Sequence, residues 1–130
     1  MIVFCTYCSA EKDAAEELLP AIQRYRSDRI KRIKMSALFA GVNFFILSGE
    51  YGLLALDEPI PYYDHLLVAD EIEAHAFKLA EQIKRYSITQ IVFFTLPVLL
   101  DEKLAPYHAA LRLACVIASA QLSFVEIDFA

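Results

Sequence analysis

Glycine is scarce in this chain: three residues in 130, at positions 41, 49 and 52. Cysteine is scarce and odd in number, also three, which argues against a disulfide framework and for a reducing, cytoplasmic setting. Charge is thin as well, at 22% of residues against 58% apolar, and a chain with that much to bury is not a disordered one. Long apolar runs are missing too. Met35 to Gly49, which no uncharged stretch exceeds in length, is interrupted by Ser36, Gly41, Asn43 and Ser48. It falls short of the run of about 20 apolar residues that a membrane span needs. Met1 to Phe4 lacks the basic start of a secretory signal. No internal repeat, low-complexity tract or linker is visible, so residues 1–130 read as a single domain.

What is present alternates between two periods. Ile2 to Cys5, Val42 to Leu47 and Gln90 to Thr95 are near-continuous apolar runs, as expected of strands covered on both faces. Leu122 to Phe129 alternates Glu126 and Asp128 with Val125, Ile127 and Phe129, which predicts an edge strand with one wetter face. Helical spacing intervenes at Ile72, Ala76, Leu79, Ala80 and Ile83, where Asp70 and Glu73 suggest a capping box. It returns at Ala110, Leu113, Ala114, Ile117 and Ala118, with Pro106 suited to the first turn. Asp13 to Ala40 reads as helix in two pieces, the first interrupted by Pro20. Ser27 or Asp28 would cap the second and Gly41 would end it. The expected fold is α/β, a three-layer Rossmann-like domain with a small, mostly parallel four-stranded sheet.

The segment Ser48 to Leu67 has no regular period, and loops of this length in small domains are often functional. Gly49 and Gly52 flank Glu50 and Tyr51, next to Ser48 at a strand end. They read either as plain turn glycines or as places where a ligand comes close. Downstream, Pro59 and Pro61 stiffen the approach to Tyr62, Tyr63 and Asp64. The tyrosines could stack on a flat ring or simply roof the core.

After the first strand comes Cys5-Thr6-Tyr7-Cys8-Ser9-Ala10-Glu11-Lys12. A Cys-x-x-Cys redox pair, a metal site and an anion-holding polar loop compete here. No second ligand pair with Cys115, His65, His75 or His108 has metal-site spacing, so no metal is expected. Cys5 reads as a buried small hydrophobe and Cys8 as the candidate nucleophile beside Lys12. Whether Cys5 and Cys8 pair as a redox couple stays open.

Charge is unevenly spread. Arg24, Arg26, Arg29, Lys31, Arg32 and Lys34 stand against Asp28 alone, a local +5 in a chain of net −5. The segment reads as a solvated helix face or as a patch for nucleotide or nucleic-acid phosphate. His75 and His108 read as surface residues.

Several of these stretches together resemble known families. Cys8-Ser9-Ala10-Glu11-Lys12, Tyr25-Arg26-Ser27, Leu47 through Leu54 and Pro61-Tyr62-Tyr63-Asp64 are similar to the Cys-Ser-x-x-Lys, Tyr-x-Ser, Leu-Ser-x-x-Tyr-Gly-Leu-Leu and Pro-x-Tyr-Asp motifs of a group of small α/β domains. The strand-end motif also resembles that of YaaA-like peroxide-stress proteins, implicated in DNA binding and oxidative-damage tolerance. Related domains are associated with 7-deazaguanine modification of nucleic acids, as in archaeosine formation. The resemblance spans roughly the first half of the chain, which is much shorter than YaaA-like proteins. It implies a site for a nucleoside, base or modified nucleic acid, built from the Cys8 loop, the Ser48–Gly52 turn and Tyr63-Asp64.

The leading expectation is therefore a nucleoside- or nucleotide-directed protein, with a polar site at the carboxyl ends of the first two strands. Catalytic candidates are Cys8, Lys12, Glu50 and Asp64: covalent attack by Cys8, proton movement by Glu50 or Asp64. Ligand-binding candidates are Ser9, Ser48, Gly49, Tyr51, Gly52 and Tyr63, the serines for phosphate or sugar and the tyrosines for pocket shape. No cofactor is specified. Two other classes stay open: a nucleic-acid binder using the Arg24–Lys34 segment, and an interaction module such as a homodimer.

Overall fold

The computed structural model describes residues 1–130. Strand β1 (Ile2–Tyr7) leads through an irregular segment to a short β2 (Leu19–Pro20) and one helical turn, α1 (Ala21–Arg24). Helix α2 (Asp28–Ala40) crosses over to β3 (Asn43–Ser48), which turns back as β4 (Gly52–Ala55). A short β5 (Pro59–Ile60) pairs with β2. A 3-10 turn at Ala69–Glu71 opens α3 (Ile72–Arg85), followed by β6 (Gln90–Thr95), α4 (Ala105–Ala118) and β7 (Gln121–Glu126). The main sheet runs β4-β3-β1-β6-β7, with β3, β1, β6 and β7 parallel and β4 antiparallel.

Strands β1 and β3 are largely apolar because helices cover both of their faces, whereas on β6 the residues facing away from α3 and α4 are only half-buried. Val3, Cys5, Phe45, Leu47, Ile91 and Phe93 meet Ala76, Leu79 and Ile83 of α3 and Ala110, Leu111 and Ala114 of α4. On the opposite face Phe44, Ile46 and Leu54 meet Ile30, Ile33 and Ala37 of α2. Burying a side chain of this size stabilises by about 1.5–3 kcal/mol. Ser27 caps α2 by accepting from the Ile30 amide at 3.2 Å, and Gly41 ends it. No helix is long and apolar enough to cross a membrane.

Several expectations need correction. The main sheet has five strands rather than four, because Gly52–Ala55 folds back on β3. A four-residue apolar strand beginning with glycine carries no alternation to betray it. Asp13–Leu18 is not helical. The residue before a proline is pushed away from helical geometry, and the carbonyls of Asp13, Ala15 and Glu17 turn instead to the Arg24 guanidinium at 2.6–2.9 Å. At the start of α3 Glu71 does the capping, its carboxylate accepting from the Val68 amide at 3.0 Å, in place of the Asp70–Glu73 box. The final strand stops at Glu126.

His75 and His108 are buried, at 5% and 4% exposure, because the sheet faces of α3 and α4 include them. The Arg24–Lys34 run is not one solvated patch. Arg24 and Arg29 are buried at 0% and 3%, held by backbone oxygens, while Arg32 stacks on Phe129 at 3.8 Å.

Candidate functional site

The chain steps from β1 to β3 in one direction and returns from β3 across to β6 and β7 in the other. Crossovers therefore leave β1 and β6 on opposite faces, and a crevice opens at their carboxyl ends. A groove of about 1290 Å³ lies there, bounded by Tyr7 and Cys8 from β1, Leu96 beyond β6, Tyr107 of α4 and the first turn of α2.

Of the candidates from sequence, Cys8, Ser9, Lys12 and Asp64 line this groove. Its polar rim adds Arg26, Lys31, Lys34 and Lys103 opposite acids that include Glu11, Asp28 and Asp101. The loop carrying Ser9 and Lys12 is fastened to the end of α1: Asp13 N donates to Arg24 O at 2.8 Å and Arg26 N to Glu11 O at 3.0 Å. The Ser9 hydroxyl is spent within the loop, donating to Glu11 O at 2.7 Å. Lys12 Nζ lies 4.9 Å from the Tyr63 ring centroid.

Behind Cys8 stands a cluster of hydroxyls. Tyr25 and Tyr63 share a hydrogen bond, and the Tyr63 hydroxyl meets Ser48 Oγ at 2.8 Å. Ser48 Oγ accepts from the amides of Glu50 and Tyr51 at 3.1 and 3.0 Å, which folds the turn that sequence reading singled out. Tyr51 packs edge-on against Tyr63 at 5.1 Å. Tyr107 Oη accepts from Leu67 N at 3.1 Å. Burial pushes the phenols of Tyr25, Tyr63 and Tyr107 above their usual range, and charge on Cys8 opposes their ionisation further. All three remain neutral hydroxyls next to the thiol.

Ser48, Gly49, Glu50, Tyr51, Gly52 and Tyr63 do not line the groove. Ser48, Tyr51 and Tyr63 support its floor from behind, while Gly49 and Glu50 border a second cavity of about 270 Å³. That cavity also takes in Asp70, Glu71, His75 and Lys78. His65 borders both spaces. Its Nδ1 bonds Glu50 and its Nε2 meets Glu71 at 2.8 Å, so hydrogen bonds first to Glu50 and then to Glu71 hold the imidazole above its usual range. Glu50 thus braces His65 rather than facing the groove. His75 is held the other way: burial lowers it, while Nε2 donates to Ser48 O at 2.9 Å.

Gly49 permits a close approach of Tyr107 and the 65–67 backbone. A Cβ there would stand 2.6 Å from Tyr107 Oη and 3.2 Å from His65 O and Leu67 N. Gly52 adopts φ +75° at the turn into β4.

Sequence reading passed over Tyr25, Tyr107, His65, Glu71 and the burial of Arg29 as parts of the site. His65 directly follows Asp64 and was within reach of the motif, whereas Tyr107 comes from 40 residues beyond its partner Leu67. Compared with known proteins, the chain matches no family, no curated protein and no solved structure.

Proposed function

We propose that the groove binds a nucleoside or nucleotide and that Cys8, Lys12 and Asp64 are the groups that act on it. The observation that carries this reading is the convergence, at the strand-order reversal, of the Cys8 thiol, the neutral phenols of Tyr25 and Tyr107 and four lysines, Lys12, Lys31, Lys34 and Lys103, around a space of about 1290 Å³. Open α/β sheets bind ligands outside the carboxyl ends of their strands, where the order reverses. A three-layer Rossmann-like fold suits that placement, and the motif resemblance to YaaA-like and archaeosine-associated domains points to the same ligand class. Aromatic edges suit a base, and mobile cations suit phosphate or the anionic face of a sugar acid.

Glu50, by bracing His65, serves this reading through the loop that carries Asp64 rather than by touching ligand. A screen of thermal stability against nucleosides, nucleotides and short oligonucleotides tests the proposal. A ligand at a hundredfold its Kd adds about 2.7 kcal/mol of stability, a rise of several degrees in Tm. That rise disappears in a folded Cys8→Ala, Lys12→Gln, Asp64→Ala triple variant. No response to any member of the panel overturns it.

A nucleic-acid strand is the second reading, favoured by the position of Arg26, Lys31 and Lys34 along one groove wall. It predicts affinity for oligonucleotides that falls steeply with salt, against the shallower salt dependence of a pocketed small ligand.

A further inference from the structure

Arg29 is the second residue of α2, is 3% exposed and lines the groove. Its Nη1 donates to Thr6 Oγ1 at 2.7 Å and Tyr7 O at 2.8 Å, and its Nη2 donates to Cys8 O at 3.1 Å. The guanidinium stacks on the Tyr7 ring at 3.5 Å. Every one of these partners is neutral, and no carboxylate forms an ion pair with it. A buried cation without a counter-ion is expensive. Its position in the first turn of a helix adds to the cost, because that end of the helix is itself positive.

Two N–H groups remain, one on Nε and one on Nη2, and they show where a counter-ion would sit. Arg29 Nε bonds to no protein atom. Arg24 Nε is the one buried side-chain nitrogen or oxygen sealed away without a partner; Arg29 Nε is not sealed, and its residue lines the groove. Arg24 offers the contrast. It too is held by carbonyls, those of Asp13, Ala15, Glu17 and Ile60, but it is fully enclosed and borders neither the groove nor the smaller cavity. The first-turn amides of α2 not served by Ser27 lie at the same wall.

We propose that Arg29 is the fixed anchor for an oxyanion of the groove's ligand, and specifically for the phosphate of a nucleoside 5′-phosphate. The identity of the ligand rests on the nucleotide reading above; the oxyanion site does not. Glu11, Asp13, Asp28, Asp64 and Asp101 line the same groove, so its anion affinity comes from one fixed guanidinium assisted by Lys12, Lys31 and Lys103, not from a uniformly positive wall. Because Arg29 also holds the Tyr7 and Cys8 carbonyls, an anion seated on Nε lies next to the backbone that positions the Cys8 thiol.

Isothermal titration of the full chain with the four ribonucleosides, their 5′-monophosphates and inorganic phosphate tests this. At least one monophosphate binds about tenfold or more tighter than its own nucleoside, as one added charge-assisted contact provides. Arg29→Gln shrinks that ratio to about threefold or less. Arg29→Lys keeps the charge but loses the Nε–H, and reduces the ratio by at least about threefold. If the glutamine variant does not fold, the lysine variant decides. A nucleoside and its monophosphate of equal affinity in the wild type, or an unchanged ratio in a folded variant, overturns the anchor while leaving nucleoside binding standing. Phosphate binding that depends on Arg29, with no response to any nucleoside or nucleotide, keeps the anchor and removes the nucleotide reading. No binding of any kind removes both.

Discussion

Two histidines set opposite slopes of stability with pH. His108 Nε2 meets Thr95 Oγ1 at 2.8 Å, its ring sits edge-on to Phe93 and Phe124, and burial lowers it to about 4. Between the unfolded value near 6.5 and about 4, the unfolded chain binds a proton that the folded chain refuses. Stability therefore falls as pH drops through that window, by on the order of 2 kcal/mol from this residue. His75, also lowered, acts in the same direction. His65 is raised by Glu50 and Glu71. Its contribution is fully present below the unfolded value and disappears as pH rises through the elevated folded one. Urea titrations across pH should show an acid limb that flattens in His108→Gln and an alkaline limb that flattens in His65→Gln.

Gly49→Ala drives a methyl group into Tyr107 Oη and the backbone of the 65–67 loop. Its expected cost is about 1–3 kcal/mol. Tyr107→Phe, which removes the oxygen, recovers part of the loss in a double-mutant cycle. Additive effects would show that the clash is relieved elsewhere. None of these residue-level roles could be read from sequence: the burial of His108 and the contact at Gly49 are set by partners brought in by other elements.

The two ends of α2 were legible in the sequence. Ser27 and Gly41 act on amides and carbonyls within four residues of themselves, so local spacing was enough to find them. Strand β4 was not legible, because its support comes from α3. Gln82 Oε1 accepts from Leu53 N at 2.8 Å, and Gln82 Nε2 donates to Tyr51 O at 3.0 Å. The side-chain amide thus stands in for part of a neighbouring strand and blunts an edge that would otherwise recruit another chain. Gly52 makes room for it, since a Cβ there would collide with that amide. Gln82→Ala leaves the Leu53 amide unserved and should cost about 1–3 kcal/mol. Hydrogen exchange at Leu53 should rise with the loss of stability, and an unchanged rate would remove the role assigned to Gln82.

At the scale of the whole molecule, the sequence pointed to the right class and to the carboxyl ends of the strands. It placed the site at the carboxyl ends of the first two strands, β1 and β3, which do pair, whereas the groove is lined from the ends of β1 and of the next strand, β6. Strand order depends on which crossover passes over which face, and apolar runs such as Phe44–Leu47 and Ile91–Phe94 look alike in any order. The charge run misled for a related reason. Six cations in eleven positions look like a surface, yet Arg24 and Arg29 meet oxygens 7 to 36 residues away.

Arg24 carries one more consequence. Four carbonyls from two separate stretches of chain, Asp13–Glu17 and Ile60, are gathered by a single guanidinium, and the intervening residues Ala14, Glu16, Glu17 and Leu18 are exposed. Beyond Asp13, which is also tied to Arg24 O through its amide, order in this stretch rests largely on one side chain rather than on a helix or a sheet, and it can be lost without global unfolding. Arg24→Met should release the stretch as a local opening. A glutamate-specific protease would then cut after Glu16 or Glu17 well below the denaturant concentration that melts the sheet, whereas in the wild type cleavage and melting would coincide.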